Sequence, residues 1–221
     1  MNDLTVIFLT ENKLPPKWMK YQRGVLLEAV GNNKLITISR RPLKMGLNLI
    51  QKEPRSLINI YRQMLRGAKK AKTEYIAVAE DDTLYPKSHF AHRPKKNVFA
   101  YNGSNWKLFN WGPPIYHSPL NTLNYALVAA RELVIDTLEE RFKRGFNEDS
   151  AGELGKRKVC KKLGIKENKR VRFWTATPVI NINHDMGFDP KAQAHRKPRG
   201  KFRAYDVPRW GRAEDLIKKW A

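Results

Sequence analysis

Apolar positions along the chain alternate between unbroken short runs and helically spaced stripes. Leu4-Thr5-Val6-Ile7-Phe8-Leu9 is a continuous apolar run, the pattern of a strand buried on both faces. Thr10-Glu11-Asn12 ends it, and Pro15-Pro16 opens a helix over about 17–30. Lys34 to Ser39 reads as a second strand, followed by a polar stretch with Pro42 and Gly46. Ser56 can cap a helix in which Leu57, Ile60, Tyr61, Met64, Leu65 and Ala68 fall at helical spacing. A third strand covers 74–79. Strand, helix, strand, helix, strand within 80 residues predicts a doubly wound parallel sheet. Val98–Tyr101 and Tyr125–Ala129 read as further strands, with an aromatic, Gly/Pro-rich loop between them. Helices are expected over about 131–143 and 147–163, and extended chain over 171–174 and 179–182. The tail from Pro190 to Pro208 is basic and interrupted by prolines, and a short helix covers 212–220. The division that follows is a main body, 1–189, and a basic C-terminal extension, 190–221, packed on it or extending from it.

The third strand carries the main chemical signal. Tyr75-Ile76-Ala77-Val78-Ala79 runs directly into Glu80-Asp81-Asp82, which sets three carboxylates at the C-terminal edge of a sheet. Ligands of open α/β sheets bind at that edge. Adjacent carboxylates repel one another, so a folded site that keeps them calls for a cation to offset their charge. A divalent ion holding a phosphorylated substrate meets that requirement. The alternative is an acidic loop paired with nearby lysines.

Charge changes the picture of the partners. The 221 residues hold 43 Lys and Arg against 21 Asp and Glu, a net +22. Residues 141–221 carry 22 of the basic and 9 of the acidic side chains, so positive charge is denser in the last third. Such an excess speaks of partners and not of fold, with nucleic acid first and an anionic membrane second. The single Cys160 excludes an internal disulfide framework and suits a reducing compartment. It lies in a basic run, and a structural thiol on a helix is the simpler reading. No stretch reaches the length of a membrane-spanning helix and the start lacks a signal core, so the expected location is the cytoplasm.

The order of elements and the acid triplet resemble the GT-A glycosyltransferases over about residues 4–185. That resemblance implies a Rossmann-like, mostly parallel central sheet flanked by helices, a nucleotide-sugar donor and Mn²⁺ or Mg²⁺. It implies that Glu80 or Asp81 faces the sugar-nucleotide and that Asp82 ligates the metal. Thr10, Glu11 and Asn12 would hold uracil and ribose of a UDP-sugar, with Arg40 and Arg41 nearby and Gly103 and Trp106 adding donor contacts. Asn147-Glu148-Asp149 resembles the family's acidic base motif, with Asp149 favoured over Glu148 as the base and Glu153 one turn on. His184, after an apolar strand, matches the histidine that completes the metal site. Each has a plain alternative: strand-end punctuation for the first group, helix capping for Glu148 and Asp149, and a structural role for His184.

For the acceptor, the tail offers Lys191, Arg196, Lys197, Arg199, Lys201, Arg203 and Arg209 as phosphate contacts. Aromatics interleave with the basic residues and can stack unpaired bases. Small, strongly basic chains of this layout look like the phage-encoded TET-associated DNA glycosyltransferases. That likeness implies a bacteriophage enzyme that transfers a sugar to 5-hydroxymethylcytosine in DNA. Two other readings stand beside it: a glycosyltransferase acting on a lipid-linked or polysaccharide acceptor at a membrane, and a nucleic-acid-binding module without catalysis.

Overall fold

The computed structural model describes residues 3–118, 123–186 and 202–220. The first half builds β1 (Leu4–Thr10), α1 (Pro16–Val30), β2 (Lys34–Ser39), β3 (Leu47–Ile50), α2 (Leu57–Lys70), β4 (Tyr75–Glu80), β5 (Thr83–Leu84), α3 (Lys87–Phe90) and β6 (Val98–Asn102). Then follow β7 (Asn105–Phe109), β8 (Tyr116–His117), β9 (Leu127–Ala130), α4 (Arg131–Lys143), α5 (Arg157–Leu163), β10 (Lys169–Phe173) and β11 (Val179–Asn183). The C-terminal segment adds β12 (Arg203–Ala204), β13 (Asp206–Val207), β14 (Gly211–Arg212) and α6 (Ala213–Ile217).

Seven strands form the central sheet in the order β10-β6-β9-β4-β1-β2-β3. All neighbours run parallel except β9, which is antiparallel to β4 and to β6. This is the mostly parallel central sheet flanked by helices that the resemblance implied; the pattern alone predicted a parallel sheet, and β9 departs from it. β1 and β4 lie at its centre, and β1 is buried at all seven positions. Burial on both faces is why its sequence shows no alternation.

α2 starts where Ser56 Oγ accepts from Asn59 N at 3.0 Å, a hydroxyl cap on an orphan amide. Its Ile58, Tyr61, Met64 and Ala68 are buried against the sheet beside Ile7 and Val78. At Gly67 the approach is so close that an added Cβ would stand 2.6 Å from Ile7 Cγ2. On the opposite face, α1 lays Leu26 and Val30 over Phe8 and Val6. Fully burying such side chains stabilises the fold by about 1.5–3 kcal/mol each.

A second sheet, β12-β8-β7-β11-β5, stands beyond the end of β4. It shares a third core with α1 and the C-terminal segment: Trp18, Leu108, Ile182, Trp210, Leu216 and Trp220 are all buried there. Trp210 Nε1 donates to Pro178 O at 2.7 Å, and β12 pairs with β8. Residues 202–220 therefore fold as part of the body.

Several expectations are corrected. The loop expected after Tyr101 contains β7, and the polar stretch after Ser39 contains β3. The helix expected over 147–163 is a short turn, Glu148–Ser150, and then α5 alone. Gly155 at φ +72 breaks it, because an L side chain is strained there. The strand expected at 125–129 lies at 127–130, and the last helix is only Ala213–Ile217. Most of the proline-rich tail falls outside the described residues.

Candidate functional site

The chain turns back between β4 and β5 at Asp81-Asp82, and α1 fixes that turn from below. Trp18 and Gln22 lie one turn apart on the same face of α1. Trp18 Nε1 donates to Asp81 O at 2.8 Å. Gln22 Nε2 donates to Glu80 O at 3.3 Å and Thr83 O at 3.1 Å. Tyr85 OH accepts from Glu80 N at 3.0 Å. With its backbone held at four points, the turn presents its carboxylates in a set direction.

Each carboxylate then has a different environment. Thr10 Oγ1, at the end of β1, donates to Asp81 Oδ2 at 2.5 Å. Asp82 Oδ1 accepts from Thr83 Oγ1 at 2.7 Å, and Thr83 in turn accepts from Asn181 Nδ2 at 2.9 Å. Asp82 Oδ2 faces His184 Nε2 at 3.6 Å. β11 delivers that histidine: Ile182 N bonds Asp82 O at 2.8 Å, and His184 follows two residues later. Burial, and then the charge of Asp82, push the Asp81 carboxyl up to about 7. Glu80 is pushed well above the usual carboxylate range by burial first and its two acidic neighbours second.

These groups line a cleft of about 210 Å³ together with Thr10, Glu11, Lys13, Arg55 and Gln63. Glu11 is braced from behind: Arg40 Nε donates to one oxygen and Gln51 Nε2 to the other, both at 2.8 Å. Gln51 Oε1 accepts from Asn59 and Gln63, a buried amide chain that ties Glu11 to α2. Asn12, at φ +54, accepts from the backbone amides of Arg40 and Arg41 at 2.9 Å each and locks the end of β1 to the end of β2. Thr10, Glu11 and the triplet thus meet, while Asn12, Arg40 and Arg41 lie behind them as supports. Lys13 and Arg55 were not singled out in the sequence. A lone basic residue on a loop carries no signal in a chain with 43 of them.

A divalent ion would find two protein donors here, the Asp82 carboxylate and the His184 imidazole. Among the described residues no three His, Cys, Asp or Glu side chains converge on one point. His184 Nδ1 is buried without a hydrogen-bond partner among them. Carboxylate with imidazole suits Mn²⁺, and the crowding of Glu80, Asp81 and Asp82 favours any cation. The residues fit an ion whose remaining positions are filled by substrate oxygens and water.

No protein-family model matches the chain, and no curated protein does. Solved structures resemble it distantly. The apo form of the glycosyltransferase GlyE of Streptococcus pneumoniae TIGR4 is 10% identical, with TM-score 0.45, over 76% of this chain and 45% of that one. A glycosyltransferase involved in glycosylation of the major capsid of PBCV-1 is 10% identical, with TM-score 0.48, over 86% and 96%. The inositol-1-phosphate CTP transferase of T. maritima is 9% identical, with TM-score 0.46, over 86% and 93%. The chain spans less than half of the pneumococcal protein's length. At such identities and TM-scores these likenesses carry no argument about the cleft's chemistry.

The other sequence-derived positions lie away from the cleft lining. Glu148 and Asp149 are exposed, and Glu148 Oε1 accepts from Ile58 N at 3.2 Å at the start of α2. Glu153 pairs with Lys156 at 3.0 Å. Gly103 lies under the ring of Trp174. Trp106 pairs across to Ile180 in the second sheet. Arg203 is in β12, and Arg209 pairs with Glu28 at 2.7 Å and stacks on Trp210. Lys191, Arg196, Lys197, Arg199 and Lys201 lie outside the described residues. Among the described residues no helix is long and apolar enough to cross a membrane.

Proposed function

We propose that the cleft is the donor site of a metal-dependent glycosyltransferase that takes a nucleotide-sugar, a UDP-sugar in the first instance. The observation that carries this reading is the meeting of Asp82 and His184 beside Asp81 in a cleft that also holds Lys13 and Arg55. Carboxylates and cations sharing one concavity suit a ligand that is itself an ion with its counter-ion: a metal diphosphate. Asp82 and His184 would hold Mn²⁺ or Mg²⁺, which when bound neutralises charge developing on the departing diphosphate. Lys13 and Arg55 stand where phosphate oxygens can be met by charge-assisted bonds. Thr10 fixes Asp81, and the Arg40–Glu11–Gln51 brace fixes Glu11, so both acids can address sugar or ribose hydroxyls without reorganising.

The proposed acceptor is a hydroxyl on DNA, 5-hydroxymethylcytosine. The net charge of +22 supports a polyanionic acceptor over a neutral one. The test is incubation with Mn²⁺, a panel of UDP-sugars and hydroxymethylcytosine DNA, read by nucleoside mass spectrometry. A glycosylated nucleoside is expected. The absence of both a glycosylated nucleoside and released UDP with every donor would overturn the reading.

A further inference from the structure

The strongest concentration of charge among the described residues lies outside the cleft lining and is not used by the proposed donor chemistry. Residues 156–172 hold nine Lys and Arg and a single acid, Glu167. Arg157, Lys158, Lys161 and Lys162 are exposed on α5, whose Val159 and Cys160 face the core. The loop before α5 packs directly on the start of β10: a Cβ at Gly155 would meet Asn168 O at 2.8 Å and Arg170 Cγ at 2.7 Å. Arg157 also reaches Glu167 at 3.7 Å. α5 and β10 therefore form one continuous basic face, and β10 is an outer strand of the central sheet.

This face ends in an exposed aromatic. Strand alternation puts Arg170, Arg172 and Trp174 on the same side of the chain. Arg170 lies over the Tyr101 ring, and Arg172 pairs with Tyr101 in the register. Trp174 comes next, 68% exposed, with its ring against Gly103, where a Cβ would come within 2.8 Å of it. Its flanks are pinned: Gly103 N bonds Phe173 O at 2.8 Å, and Thr175 N bonds Ser104 Oγ at 3.0 Å. A large, mostly exposed apolar ring thus rests against a glycine, with its backbone flanks hydrogen-bonded. β10 and β6 run parallel to β4, since β9 opposes both β4 and β6. Trp174 therefore lies at the same edge of the sheet as Glu80-Asp81-Asp82. Three strand spacings separate it from them, about 14 Å.

We propose that the α5–β10 face is a nucleic-acid track, with Trp174 as a stacking platform for an unpaired base at the catalytic edge. The inference deepens the acceptor reading above and rests on it for placing DNA beside the cleft. A basic face suits phosphates spaced along a strand, and an open tryptophan suits a base. An anionic membrane fits less well, because the outer side of α5 carries lysine and arginine and no apolar residues to enter lipid.

The test uses the full chain and a short labelled single-stranded oligonucleotide without hydroxymethylcytosine, followed by anisotropy over a range of salt. Combined Lys158→Ala, Lys161→Ala and Lys166→Ala should reduce the log–log salt slope by about 2. Trp174→Ala should weaken binding about tenfold at fixed salt and leave the slope unchanged. A salt slope untouched by the lysine changes but removed by Arg196→Ala, Lys197→Ala and Arg199→Ala would overturn the proposal. So would binding to phosphatidylserine vesicles, and not to the oligonucleotide, that needs the same lysines. Release of UDP from the donor without acceptor, measured on the same variants, separates the two readings. Oligonucleotide binding that needs this face, in a protein with no donor turnover, supports the track and sinks the donor site. Donor turnover with oligonucleotide binding indifferent to this face does the reverse.

Discussion

The Thr10 hydroxyl donates to the Asp81 carboxylate at 2.5 Å and ties the end of β1 to the end of β4. It is one of the few favourable contacts that a crowded acid receives. Burial and the charge of Asp82 still hold the Asp81 carboxyl up to about 7, so the folded chain keeps a proton that the unfolded chain has released. Where the folded state binds more protons, stability falls as pH rises. In chelator, Asp81 and Glu80 therefore lower stability as pH rises between about pH 5 and 7, while buried His89, held down to about 3 by desolvation, raises it over the same window. Asp81→Asn removes the Asp81 share, so its melting temperature should rise relative to that of the wild type as pH goes from about 5 to 7. The acids held low by partners or backbone bonds, Asp3, Glu53 and Glu140, lose their contribution only at more acidic pH. Identical slopes for the wild type and Asp81→Asn would contradict this account of the triplet.

Glu148 has a structural task at the start of α2, where its carboxylate accepts from Ile58 N. Glu148→Ala should lower stability by about 0.5–1 kcal/mol, the worth of a helix cap, and leave donor turnover per folded molecule unchanged. Urea denaturation and released UDP measure the two effects. A drop in turnover of roughly 10²–10⁴-fold at unchanged stability would instead make Glu148 the general base.

Trp220 packs in the core behind the site, with ring centroids 5.2 Å from Trp18 and 5.0 Å from His184. Trp18 also holds the Asp81 carbonyl, so loss of Trp220 loosens one support of the acid turn and the packing of His184 itself. Trp220→Ala should cost about 3–5 kcal/mol by urea denaturation, as for a buried aromatic, and should raise the Mn²⁺ concentration needed for half-maximal turnover. An unchanged Mn²⁺ requirement would mean that the C-terminal segment does not position His184.

Much of the scaffold was legible because burial on both faces leaves an unmistakable mark. β1 and β4 are runs without alternation, and α2 announces itself by Ser56 and its apolar stripe. β3 was missed because its four residues are half-exposed at a sheet edge and follow Pro42 and Gly46. β7 was hidden behind Gly103-Ser104, which read as loop, yet Asn105–Phe109 pairs in full with β11. The triplet was legible as carboxylates ending a buried strand. Lys13 and Arg55 were not, since only the fold brings two ordinary loop residues to that strand end. Glu148 shows the converse: a motif reading places it in catalysis, while its tertiary bond places it at the head of α2.

The proposed donor site stands or falls on Asp82, the acid that lies within ion-pair distance of His184 among the described residues. Release of UDP from a UDP-sugar with Mn²⁺ should fall by roughly a hundredfold or more in Asp82→Asn, the scale of a lost metal ligand. The variant should still melt within a few degrees of the wild type, because among the described residues Asp82 accepts one side-chain hydrogen bond, from its neighbour Thr83, and the longer contact with His184 is with a group that can stay neutral. Undiminished release of UDP by Asp82→Asn would contradict the account.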